Sequence, residues 1–112
     1  MFGDMMGMMG KMKEAQAKME ETKRKLDDIH VRGESPSQLI VVVLTGNRQV
    51  VDIQVDDNFR KHADSEEFAD FMGMAMSEAM RKADQVSKEE MEKVTNEMLP
   101  GGMGALKSML GG

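Results

Sequence analysis

Residues 31–57 read VRGESPSQLIVVVLTGNRQVVDIQVDD, and this stretch decides the fold. It is the only strongly β-patterned part of the 112-residue chain. Leu39 to Leu44 is an unbroken apolar run, long enough for a strand and far short of the roughly 18 apolar residues of a membrane span. Ile40, Val42 and Leu44 fall on one face, and Leu39, Val41 and Val43 on the other. A strand that is apolar on both faces needs cover on both. Gly46-Asn47 is a two-residue hairpin signal. Beyond it, Gln49 to Val55 reads as a further strand, with Val51, Ile53 and Val55 on one face and Asp52 and Gln54 on the other. Before it, Ile29 to Gly33 reads as a first strand. Glu34 to Ser37, with Pro36, reads as a turn. Gly33 and Gly46 read as isolated turn glycines.

Helical periodicity flanks this block. Residues 3–10, GDMMGMMG, read as frayed. Met5, Met8, Met12, Ala15, Met19, Thr22, Leu26 and Ile29 then step alternately by three and four, an a/d heptad pattern. It predicts a helix from Met6 to Asp28, with Asp4 as a possible cap. On the C-terminal side, Asp56 to Asp64 reads as a connecting loop. Asp64-Ser65-Glu66-Glu67 is a helix start, with a capping side chain and acids in the first turn. Phe68, Met72, Ala75, Ala79, Ala83 and Val86 form an apolar stripe that Met91, Val94 and Met98 continue. Pro100 ends it. A helix of about 34 residues spans roughly 50 Å, too long for one small globule to cover.

The expected architecture is α+β: a long helix, a three-stranded antiparallel sheet and a second long helix. It forms a single domain over residues 1–99, with a flexible Gly/Met-rich tail at 100–112. A two-fold dimer would cover the second face of the middle strand, which places Leu39, Val41 and Val43 in the expected dimer interface.

Composition narrows the chemistry. The chain has no cysteine, so disulfides and thiolate metal sites are excluded. That fits a cytoplasmic protein, as does an N-terminus without a basic, apolar-cored secretory signal. No membrane partner is expected. Fifteen methionines at helical spacing suit helix seams better than a Cu(I) site. Asp52, Asp56, Asp57 and Asp64 lack the spacing, central glycine and terminal acid of an EF-hand calcium loop. No metal or other cofactor is expected. His30 and His62 join no motif with a nucleophile, and no phosphate-binding loop occurs, so the chain reads as a non-enzyme.

The net charge of −5 hides a polarity. From Lys11 to Lys25, six basic residues stand against three glutamates, net +3. From Asp52 to Asp70, seven acids stand against Arg60 and Lys61, net −5. One end of the molecule suits a polyanion and the other repels it.

The opening helix AQAKMEETKRKL, the V-x-G-E of Val31, Gly33 and Glu34, the strand-turn of Leu44 to Asn47, and the V-x-I-x-V-D of Val51, Ile53, Val55 and Asp56 occur in this order. With the MFG opening and the long C-terminal helix, they resemble the YbaB/EbfC family of nucleoid-associated proteins from Met1 to Met98. The resemblance implies a tweezer-like homodimer that binds double-stranded DNA, localised to the cytoplasm and nucleoid. Recombination or repair proteins are further possible partners that it implies.

The nucleic-acid-binding candidates are Lys11, Lys13, Lys18, Lys23, Arg24, Lys25 and Arg32. Lysines on a projecting helix neutralise phosphates and release counterions. Without aromatic stacking platforms, binding should follow phosphates and duplex shape with little sequence preference. The alternative is a solvated coiled-coil face in a dimeric protein-interaction module that uses acidic and methionine-rich surfaces.

Overall fold

A computed structural model describes the backbone of residues 2–98 and the side chains of residues 7–98. The tail expected at 100–112 lies outside the described residues. The elements follow the order α1 (Phe2–Leu26), β1 (His30–Glu34), a 3-10 turn (Pro36–Gln38), β2 (Ile40–Thr45), β3 (Val50–Val55), α2 (Asp57–His62) and α3 (Ser65–Met98). The chain divides into two compact units. One is Leu26–Ser87; the other joins Met1–Lys25 to Lys88–Gly112.

The first unit holds an antiparallel sheet in the order β1-β2-β3. Val42 lies between Gly33 and Ile53, and Val43 between Arg32 and Asp52. Ile40, Val42 and Leu44 turn inward and form the core with Phe59, Ala75 and Ala79. The three alanines at 75, 79 and 83 are fully buried. Their small side chains let α3 lie close on the strands, and Gly33 completes the fit. A Cβ at residue 33 would overlap the Ala75 carbonyl oxygen and the Ala79 amide nitrogen. Gly33 is therefore a packing glycine inside β1, not a turn glycine.

Leu39 does not share the face of Val41 and Val43. Its backbone is helical, φ −69° and ψ −31°, so strand alternation has not yet begun there. Its side chain packs against the inner cluster. On the opposite sheet face Val41 is buried and Val43 half-buried within the single chain. The exposed apolar strand is β3, where Val50, Val51 and Ile53 are 56, 46 and 43 % exposed.

The hairpin is longer than a two-residue turn. Thr45 N–H donates to Gln49 O, Arg48 N–H donates to Thr45 O, and Arg48 adopts φ 64°. This is a three-residue loop whose last position is left-handed. A bulge follows at Val43/Leu44.

Two helix boundaries differ from the sequence reading. The expected loop at 56–64 contains α2, capped where the Asp56 carboxylate accepts from Phe59 N–H at 2.9 Å. Phe59 stacks on Phe68 and Phe71, with ring centroids 6.0 and 5.0 Å away. One buried ring anchors a helix too short to show a stripe. Helix α1 begins at Phe2, ahead of the expected start, and the frayed reading of residues 3–10 is replaced by helix. Asp4 lies inside it rather than at its cap. Helix α3 starts as expected, where the Asp64 carboxylate accepts from Glu67 N–H at 2.8 Å, and its described part ends at Met98; the expected stop at Pro100 lies outside the described residues.

Candidate nucleic-acid interface

Six of the seven basic candidates lie on α1. In the second unit this helix runs antiparallel to the Lys88–Met98 part of α3. Lys18 pairs with Glu97 and Lys25 with Glu90, each at 3.1 Å. Seven residues forward on α1 correspond to seven residues back on α3, the register of an antiparallel heptad seam. Thr22 and Val94 are buried in this unit. The Thr22 hydroxyl donates back to the Lys18 carbonyl at 2.8 Å, which satisfies a polar group in an apolar seam. A groove of about 420 Å³ is lined by Lys18, Lys25, Thr22, Glu90, Val94 and Glu97 among others. Glu90 also meets Lys93 at 3.0 Å. Lys93 first, then Lys25, hold its carboxyl below the usual glutamate range.

This seam sorts the basic residues. At roughly 100° per residue, Lys11, Lys18 and Lys25 form one stripe beside the seam, whereas Lys13 and Arg24 fall within roughly 20° of each other opposite Ala15 and Thr22. Lys18 and Lys25 are engaged by acids. Lys23 is exposed and has a partner. Lys11, Lys13 and Arg24 are exposed and form no ion pair with another described residue. Lys13 and Arg24 stand about 16 Å apart along the helix axis. Arg32 belongs to the sheet unit, where its side chain pairs with Glu34 at 2.7 Å.

Glu90 and Glu97 are the residues that sequence reasoning missed. Their seven-residue spacing matches that of Lys18 and Lys25, a signal that becomes legible once the two helices are known to be antiparallel. The methionine reading also changes. Met8, Met12 and Met19 were expected in the seam but are 65, 61 and 43 % exposed. The described part of α3 ends at Met98, next to the partner of Lys18, so it offers Met8 and Met12 no neighbour, whereas Met19 is exposed within the paired stretch.

Among the described residues no three potential ligands cluster to hold a metal ion. No described helix is long and apolar enough to cross a membrane.

A three-stranded antiparallel sheet preceded and followed in sequence by long helices, the first of them basic, defines a class of small α+β proteins. The same fold occurs in an uncharacterized protein from Helicobacter pylori, with a TM-score of 0.66 and 18% identity over 73% of this chain and 86% of that one. A nucleoid-associated protein of Flavobacterium johnsoniae is 35% identical over 97 residues, covering 87% of this chain and 90% of the relative. One from Rhizobium meliloti is 36% identical over 101 residues, covering 89% and 94%. The YbaB/EbfC DNA-binding family matches residues 1–98, and the chain belongs to that family.

Proposed function

We propose that this chain acts as a homodimer that binds double-stranded DNA without catalysis, mainly through phosphates and with little sequence preference. The observation that carries this reading is the outward face of α1. Lys13 and Arg24 share it, exposed and without an ionic partner among the described residues, and Lys11, likewise without one, lies on the stripe beside the seam. Such cations are available to phosphates at no cost in broken ion pairs. Lys18 and Lys25 reach DNA only by leaving Glu97 and Glu90, so they contribute less. Lys23 and Arg32 are secondary contacts for the same reason: each already has a partner. The acidic segment around α2 repels the polyanion and disfavours binding by that surface.

The dimer joins two such arms at a fixed geometry, so that a pair of α1 helices grips or bridges a duplex. Its proposed contact is the exposed strand β3, with Val43 adjoining it on the sheet. Val41 has little surface left to offer, and half-buried Leu39 packs against the inner cluster. The relatives' names support placement at the nucleoid, in the cytoplasm. Proteins of recombination or repair would then share the duplex with it.

The test is fluorescence anisotropy of a labelled random-sequence duplex at low salt. Wild type is expected to bind, and Lys11→Ala/Lys13→Ala/Arg24→Ala to bind much more weakly. Equal binding by both would sink the proposed face.

A further inference from the structure

The two edges of the sheet are treated differently. In an antiparallel ladder, alternate residues turn both N–H and C=O away from the neighbouring strand. On β1 these are Arg32 and Glu34. One group of each residue is met by α3. The Lys82 ammonium donates to the Arg32 carbonyl oxygen at 2.8 Å. The Glu78 carboxyl faces the Glu34 backbone N–H, which, after Lys82, helps hold its pKa below the usual glutamate value. Glu78 and Lys82 are also paired with each other at 3.1 Å, one helical turn apart. An acid thus faces one edge donor and a cation covers one edge acceptor, two of the interactions an added strand would make. The reach is short because Gly33 seats α3 directly on β1, and Glu78 and Lys82 each follow one of the seated alanines by three residues.

The β3 edge has no such cover. Asp56 N–H donates to Leu39 O at 2.8 Å. Continued alternation from that bond turns the N–H and C=O of Ile53 and Val55 outward. No described side chain bonds to them. The strand also exposes Val50, Val51 and Ile53. An open apolar edge is a template for another strand.

We propose that Glu78 and Lys82 are an edge guard: they close β1 to strand addition, so a second copy of this chain joins at β3 and assembly stops at two. The choice of occupant rests on the dimer reading above; the role of Glu78 and Lys82 goes beyond it. Pairing of β3 with β3 about a two-fold axis is closed and uses up both open edges. It leaves two β1 edges at the ends of a six-stranded sheet. Without the guard, β1 edges of different dimers pair in turn, and growth becomes open-ended in steps of one dimer.

The experiment is multi-angle light scattering on wild type, Glu78→Ala/Lys82→Ala and Glu78→Lys/Lys82→Glu. The exchanged variant keeps the net charge and a one-turn ion pair, but it sets a cation against the Glu34 donor and a carboxylate against the Arg32 acceptor. Wild type is expected to hold one mass. Both variants are expected to gain species of at least doubled mass that grow with concentration. Below that concentration, hydrogen exchange at the Glu34 amide is expected to quicken relative to wild type. Variants with wild-type circular dichroism and wild-type mass at every concentration would overturn the guard. Should either double variant lose its fold, Lys82→Ala alone decides by the same readouts. A monomeric wild type contradicts the dimer reading alone, because the guard is still judged by the variants' mass relative to wild type.

Discussion

Gly33 of β1 lies so close to Ala79 of α3 that a Cβ at residue 33 would stand 2.8 Å from the Ala79 methyl carbon. Backbone on the same helix is nearer still, and backbone cannot turn aside as a side chain can. Gly33→Ala must lift α3 from the sheet. The expected loss is about 1–3 kcal/mol, the usual scale of overpacking. For a domain of this size that lowers Tm by roughly 4–8 °C per kcal/mol. Calorimetry checks it; an unchanged Tm would refute the close packing.

The division of α1 into engaged and available cations makes two double variants unequal. Lys13→Ala/Arg24→Ala should weaken DNA binding more than Lys18→Ala/Lys25→Ala, although both remove two charges. Conversely, Glu90→Gln/Glu97→Gln should tighten binding, because it frees Lys18 and Lys25 and removes two negative charges beside them. Anisotropy titrations at one salt concentration compare all three. Equal losses from the two basic pairs would refute the sorting by the seam.

The β3 interface has a covalent test. The chain has no cysteine, so Ile53→Cys introduces the only thiol. A two-fold pairing centred on Ile53 sets the two Cβ atoms about 4.5–5.5 Å apart, close enough for a disulfide after a small adjustment. Mild oxidation is expected to yield a dimer on non-reducing gels. Ile53→Asp should give a folded monomer. Efficient cross-linking at Val43→Cys with none at Ile53→Cys would move the interface to the opposite sheet face.

Acid should loosen the helical seam. The Glu90 carboxyl is held below the usual glutamate range by Lys93 and Lys25. A carboxyl whose folded value lies below its unfolded value stabilises the fold above the unfolded value, and that stabilisation is lost as pH falls through the folded one. The seam should therefore weaken as pH drops below about 4.3, the ordinary glutamate value. Glu90→Gln should flatten this part of the profile. Urea denaturation followed by circular dichroism across that range tests it. Parallel pH profiles for wild type and variant would contradict the role of Glu90.

The long, regular signals were the legible ones. The apolar run of β2 and the alanine stripe of α3 announce themselves, and Asp64 marks the start of α3. What escaped depends on single residues or on partners far apart in sequence. Helix α2 hangs on one ring, Phe59, and six residues are too few for a periodic stripe. Arg48 holds a left-handed position usually given to glycine, so its loop resembles a shorter turn. Gly33 shows no sign in sequence of the helix that requires it. The basic helix was visible as a cluster. Its split into an engaged stripe and an available face depends on Glu90 and Glu97, more than sixty residues away.

The central claim is that α1 meets DNA through phosphates, and the salt dependence of duplex binding tests it most directly. With anisotropy measured from about 50 to 200 mM salt, each phosphate contact contributes roughly −0.9 to the log–log slope. A dimer that presents Lys13 and Arg24 from both arms should lose about four contacts in the Lys13→Ala/Arg24→Ala variant, so its slope should become shallower by roughly 3.6. A wild-type slope near zero, or one that the variant leaves unchanged, would contradict it.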